Sequence, residues 1–161
     1  MGKGKKQKAP LPEGIVPIAD NRRARHDYEI IETFEAGIVL VGTEVKSLRD
    51  KQVNFADSYA LLKDGEVFIL GLNITKFKYG THANHEPDRT RKLLLHDKEI
   101  RKLFRATKEK GYTLVPLKMY FKKGWAKVLL GVAKGRTKVD KRHELKKKDA
   151  NREMARAMKK H

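Results

Sequence analysis

The chain has 161 residues, 39% of them apolar, enough for one domain with a real core plus polar extensions. Lysine and arginine number 38 against 20 aspartate and glutamate, a formal charge of +18 that points to a polyanion as partner rather than a small acidic substrate. With no cysteine, disulfide scaffolds, thiolate zinc sites and cysteine nucleophiles are excluded, and no apolar run suits a signal peptide or a membrane span.

The basic head opens the chain. Residues 1–12 hold four lysines and no acid, residues 134–161 hold twelve basic and four acidic residues, and the middle keeps +6 of the +18. The composition divides the chain into a flexible basic arm over 1–17, a folded unit over 18–133 and a basic tail over 134–161. The absence of cysteine fits a reducing compartment, and a cytoplasmic, monomeric protein without a membrane partner is expected.

From Tyr28 the pattern is that of strands. Tyr28, Ile30 and Phe34 share one parity, "EAG" at 35–37 breaks the run, and "IVLVGTEVK" at 38–46 resumes it, which predicts a hairpin. A second hairpin is predicted where "SYALLK" and "EVFILGLNI" flank Asp64-Gly65, a dipeptide that tolerates the positive φ angles of a tight turn. Ile100, Leu103, Phe104 and Thr107 then fall at helical spacing, with Asp97 as N-cap and Gly111 past the end. A third hairpin follows, "YTLVPLKMYF" and "WAKVLLGV" around "KKG" at 122–124, with Pro116 marking an edge or a bulge.

About six short strands with one marked helix predict a mainly β fold, an OB-like closed antiparallel barrel with short flanking helices. The tail is different. Thr137 and Asp140 resemble a capping box, and Glu144 with Lys148 makes a favourable i,i+4 pair. Yet its apolar stripe is only Ala150, Met154, Ala157 and Met158, with Leu145 nearly opposite. Burying so little cannot offset roughly 1 kcal/mol or more of backbone entropy per residue. The tail is therefore predicted to be disordered when free and helical on a polyanion.

Enzyme chemistry is poorly represented. His82, His85, Glu86 and Asp88 share one loop, but His-x-x-His beside Asn84 and Pro87 reads more simply as loop punctuation than as a metal site. His26-Asp27, an imaginable nuclease pair, would point to opposite faces of a strand. No catalytic residue, metal or cofactor is predicted. Basic runs are more informative: "NRRARH" (21–26), "DRTRKLLL" (88–95) and "AKVLLGVAKG" (126–135) supply planar arginines and point-charge lysines for phosphates. Most aromatics fit a core, so recognition of a folded RNA by shape and backbone is favoured over base-by-base reading. His26 and Trp125 are candidate stacking residues, although Trp125 also suits burial at a strand edge. A general single-strand-binding OB protein and a nuclease remain as alternatives.

At "NRRARHDY", "FEAGIVLVGTEVKSLR", "DSYALLKDGE", "DRTRKLLL" and "KVLLGVAKG…DKR" the chain closely resembles the SmpB family, the SsrA-binding proteins of bacterial trans-translation. The resemblance runs from about Ile18 to the C-terminus. It implies a six-stranded OB-like barrel, no enzymatic activity, and binding to the tRNA-like domain of tmRNA. It further implies entry with elongation factor Tu and GTP into ribosomes stalled without an A-site codon, where the tail becomes helical in the empty mRNA channel beside the decoding centre.

Transferred residue by residue, the resemblance implies tmRNA contacts at Asn21, Arg22, Ala24, His26, Glu35, Leu94 and Lys127, and the basic runs add Arg25, Arg89, Arg91, Lys92 and Lys134 as expected tmRNA contacts. The resemblance implies contacts to small-subunit ribosomal RNA at Gly135, Asp140, Lys141 and Arg142, and the rest of the tail adds Arg136, Lys138, Val139, Lys146, Lys147 and Lys148 as expected contacts. Glu35 is odd for an RNA contact and equally suits a structural role. Many relatives carry a stackable Tyr or His where this chain has Val139.

Overall fold

The computed structural model describes residues 13–80, 82–108, 111–135, 150–154 and 156. Its elements are β1 (Ile15–Asp20), α1 (Arg22–Asp27), β2 (Tyr28–Ile38), α2 (Gly42–Arg49), β3 (Val53–Asn54) and β4 (Tyr59–Lys63). Then come β5 (Glu66–Leu70), β6 (Asn73–Ile74), β7 (Arg91–Leu94), α3 (Asp97–Thr107), β8 (Tyr112–Lys122) and β9 (Trp125–Gly135). Strands β8, β4, β5, β7, β2 and β9 pair antiparallel in that order, and β9 pairs back onto β8. The ring closes, so the predicted six-stranded barrel is present. β1 adds to β8 from outside, and β3 with β6 forms a separate small ladder.

Two tight turns set the hairpins. Asp64 and Gly65 have φ of +53° and +74°, and Lys123 and Gly124 have +51° and +82°, the paired positive angles of two-residue hairpin loops. Pro116 lies at the register shift of the β8–β9 ladder, the predicted bulge, but β8 is no edge: β9 flanks one side, β1 and β4 the other. Phe34, Leu48, Val67, Ile69, Leu93 and Leu130 belong to one central cluster inside the barrel.

Several elements depart from the sequence reading. "EAG" does not interrupt β2, because Glu35, Ala36 and Gly37 stay in the ladder opposite Leu129, Val128 and Lys127. The predicted strand over 38–46 is instead the end of β2 and the start of α2. Glu44 accepts the Val41 backbone N–H at 2.9 Å, and Glu44, Ser47 and Leu48 form a buried helical face. Strand β7 lies within the run read only as basic. Helix α3 is as predicted, except that His96 is its N-cap: Glu99 Oε1 accepts the His96 N–H at 3.3 Å, and Asp97 is the first helical residue.

β1 begins at Ile15, inside the span assigned to the arm, and β9 runs through Lys134 and Gly135, inside the span assigned to the tail.

Candidate nucleic-acid interface

The first basic run folds as α1. Asn21 caps it, with Oδ1 accepting the Ala24 N–H at 3.2 Å, while Nδ2 donates to the Pro116 carbonyl at 2.8 Å. Ala24 is buried against Tyr28, Val115, Leu117 and Ala133. That single anchor turns Arg22, Arg23, Arg25 and His26 outward. Ala24 thus packs the helix onto the barrel, and Asn21 is engaged in holding the helix. His26 and Asp27 close the helix rather than start a strand. Nδ1 lies 3.1 Å from Asp27 Oδ1, so the two do touch, on an imidazole 89% exposed to solvent.

The second face is assembled by strand register. Gly37 of β2 pairs with Leu94 of β7 on one side and Lys127 of β9 on the other, and Lys127 pairs in turn with Tyr120 of β8. Residues in one cross-strand row point to one face of the sheet. Two residues along, Glu35 and Trp125 share that face. With no side chain at Gly37, the row has an open floor; a Cβ there would stand 3.3 Å from the Leu94 Cβ. The result is an open groove of about 830 Å³ lined by Glu35, Val39, Leu94, His96, Trp125 and Lys127.

Its chemistry is mixed. Leu94 is 52% exposed and Trp125 74%, so the edge burial that would also have suited the tryptophan does not occur. Glu35 has a definite role: Tyr120 donates its hydroxyl to Oε2 at 2.5 Å, and Lys122 donates to Oε1 at 3.2 Å. The tyrosine bond, with the Lys122 and Lys127 charges, holds the Glu35 carboxyl below its ordinary range against the opposing effect of burial. Burial and the bond to Glu35 push the Tyr120 phenol up, so it stays a donor. Glu35, itself in the groove wall, therefore braces Tyr120 and Lys122 of β8.

The "DRTRKLLL" run divides between inside and outside. Arg91 is fully buried: Nε donates to Glu44, Nη1 to the carbonyls of Leu72 (2.7 Å) and Arg89 (2.9 Å), and Nη2 to the Pro87 carbonyl at 3.0 Å. Its expected role as an RNA contact is corrected by this geometry, since no donor faces solvent. Burial pushes the Glu44 carboxyl up, but the Val41 N–H and the two arginines outweigh it and hold the carboxyl below its ordinary value. Arg89 is partly exposed and shares Glu44 at 2.5 Å. Lys92 faces outward and pairs with Glu66 at 2.8 Å.

Lys134 is exposed, with its ammonium 6.0 Å from the Tyr112 ring centre, and Gly135 pairs with Tyr28 directly after α1. The tail thus departs beside the α1 patch. Arg136, Lys138, Val139, Asp140, Lys141, Arg142, Lys146, Lys147 and Lys148 lie outside the described residues. In the histidine loop, His85 is buried. Nε2 donates to the Ile74 carbonyl at 2.7 Å and Nδ1 accepts from Thr43 Oγ1 at 2.9 Å, so both ring nitrogens are occupied. Among the described residues, no helix is long and apolar enough to cross a membrane.

Comparison with known proteins places this arrangement. The model of the SmpB protein family matches residues 18–160. The chain belongs to the SmpB family. It is 57% identical to the SsrA-binding protein of Listeria welshimeri over 142 residues, covering 88% of this chain and 92% of the relative. The SsrA-binding protein of Geobacillus thermodenitrificans is 58% identical over 148 residues, 92% of this chain and 95% of that protein. A chain in a solved structure described as "tmRNA-SmpB: a journey to the center of the bacterial ribosome" superposes with a TM-score of 0.65 at 51% identity, over 81% of this chain and 95% of that one.

The sequence reading did not locate the floor of the groove. Lys127 lay in the basic run at 126–135, the roles of Glu35 and Leu94 came only from family resemblance, and Gly37 between them had no local signal other than being a glycine inside a strand.

Proposed function

We propose that this chain is an RNA-binding adaptor of trans-translation. The barrel holds the tRNA-like domain of tmRNA, and the complex reaches ribosomes stalled without an A-site codon. The observation that supports this best is the SmpB-family match over residues 18–160 together with the cross-strand row Leu94–Gly37–Lys127, which joins two residues that the resemblance ties to tmRNA. Lys127 supplies charge for a phosphate, Trp125 and Leu94 supply surface for a base or a sugar, and Glu35 keeps Tyr120 and Lys122 in place. Arg22, Arg25 and His26 on α1, with Lys134 beside them, form the second contact. Arg89 and Lys92 contribute field more than direct contact, because both are committed to carboxylates.

The remaining assignments complete the reading. Gly135 and the basic residues from 136 to 148 reach the small-subunit ribosomal RNA in the vacant mRNA path. Elongation factor Tu with GTP joins through tmRNA, and the protein acts as a cytoplasmic monomer. Its role is positional, with no bond made or broken.

The test compares the full chain with a 134–161 deletion for binding to a tRNA-like tmRNA fragment and to an unstructured RNA of equal length, across a salt series. Affinity for both RNAs falls with salt, since counterion release is blind to fold. A preference for the tRNA-like fragment that survives salt and deletion supports the adaptor. Equal binding of both RNAs would instead favour a general single-strand binder.

A further inference from the structure

The outer face of the β4–β5 hairpin is not built for water. A strand with one wet face alternates in polarity. Here both parities are apolar: Ala60, Val67 and Ile69 enter the barrel core, while Tyr59, Leu61, Phe68 and Leu70 form a separate cluster on the other side. Register places Tyr59 opposite Leu70 and Leu61 opposite Phe68, so the four side chains make one block. Left bare, the block would be the kind of contiguous apolar patch that marks an interaction site.

Residues 150–154 are helical, and they cover it. Ala150 and Met154, one turn apart, are 4% and 6% exposed within the same cluster, whereas Asn151, Arg152 and Glu153 between them face solvent. The first two members of the tail's apolar stripe are thus both buried. Arg156 is also exposed, so the basic side chains described in this segment stay on the outside.

We propose that this hairpin face is a seat for the chain's own C-terminal segment, which alternates between a seated form and a released form available to a polyanion. Among the described residues the contact uses two tail side chains, Ala150 and Met154, and it holds the segment without committing it. A nucleic acid that surrounds the tail needs the face that Met154 turns to the barrel, and the two engagements exclude each other. The seat shares no residue with the groove or with α1, so residues 150–154 in the seat leave both open. The seat concerns the free chain alone, whereas its release to a polyanion rests on the RNA-binding role proposed above for the tail.

The cysteine-free sequence allows one nitroxide label to be placed at Asn151→Cys in the full chain. Paramagnetic broadening is then read at the methyl groups of Leu61 and Leu70, with Leu94 and Leu129 as references. The expected result is loss of the Leu61 and Leu70 signals, with their recovery in a second chain that also carries Met154→Glu and on addition of polyuridine. Broadening no greater than at Leu94, or unchanged by Met154→Glu, would overturn the seat. Broadening that passes only from labelled to separately isotope-labelled chains would assign the contact to a second copy and overturn it equally. Persistence of the loss in saturating polyuridine would overturn the release.

Discussion

Replacing Trp125 with alanine removes the most exposed apolar side chain of the groove and leaves the barrel whole. The indole is 74% exposed at the first position of β9, so folding stability should change by no more than about 0.5 kcal/mol, the usual range for surface substitutions. A base stacked on an aromatic ring contributes about 1–3 kcal/mol. Losing it should weaken binding roughly 5- to 150-fold. Because no charge is removed, the slope of log affinity against log salt should stay that of the parent. Anisotropy titrations of a labelled tRNA-like fragment at several salt concentrations, with urea unfolding in parallel, measure both quantities. Trp125→Phe keeps a ring and should recover most of the affinity. An alanine variant within twofold of the parent at every salt would refute stacking at this position. A loss of affinity accompanied by a shallower slope would instead mean that the indole positions a cation such as Lys127.

Lys127→Ala should do the opposite, lowering the magnitude of the salt slope by about 0.9 for a helical RNA backbone, and an unchanged slope in the same titrations would reject a phosphate contact. Glu44→Ala leaves Arg91 buried without its carboxylate and should cost about 3–5 kcal/mol in urea unfolding, far more than an exposed ion pair. Because the Glu44 carboxyl is held below its ordinary 4.5 when folded, the stability it contributes is present above that value and lost as pH falls through the lower folded value. Glu44→Gln should therefore flatten the acid side of a plot of urea midpoint against pH, and an unaltered plot would place the acid sensitivity elsewhere. Gly71→Ala should destabilise by at least about 1 kcal/mol, since φ is +72° and a Cβ would stand 2.4 Å from the Asp57 carbonyl oxygen; a thermal midpoint equal to the parent's would contradict that close approach.

The hairpins at 64–65 and 123–124 are legible in the sequence because each turn carries its own signal, a residue pair that tolerates positive φ between apolar arms. Helix α2 is not legible for the converse reason. Its Thr43 and Val45, following Val39 and Val41, imitate a strand, and the residue that organises it, Glu44, is fixed by Arg89 and Arg91, 45 and 47 positions away. The same pairing misleads at "DRTRKLLL". A run of charges reads as a solvated patch, yet Arg91 is the counterion of a buried carboxylate, and nothing local distinguishes it from Lys92 beside it. At the α1 patch the sequence gives the composition, and the one buried alanine decides the direction in which each arginine points. The groove needs register: Leu94, Gly37 and Lys127 come from three strands, and no spacing along the chain brings them together.

That register also relates the two faces. β2 and β9 are both eleven residues long and pair along their length, with one irregularity between Ile30 and Glu32. Tyr28 at one end follows α1 and pairs with Gly135, where the tail departs; Gly37 near the other end floors the groove. Nine residues at about 3.4 Å each set the two some 30 Å apart. A loop of equal length would leave that distance variable, whereas a two-stranded ribbon within a closed barrel fixes it. The adaptor reading needs such a fixed distance, because an RNA held in the groove and a tail reaching for a second RNA must act on one assembly at once. The separation therefore comes from the β2–β9 ladder, whose register ties the groove at Gly37 to the end of β9 at Gly135.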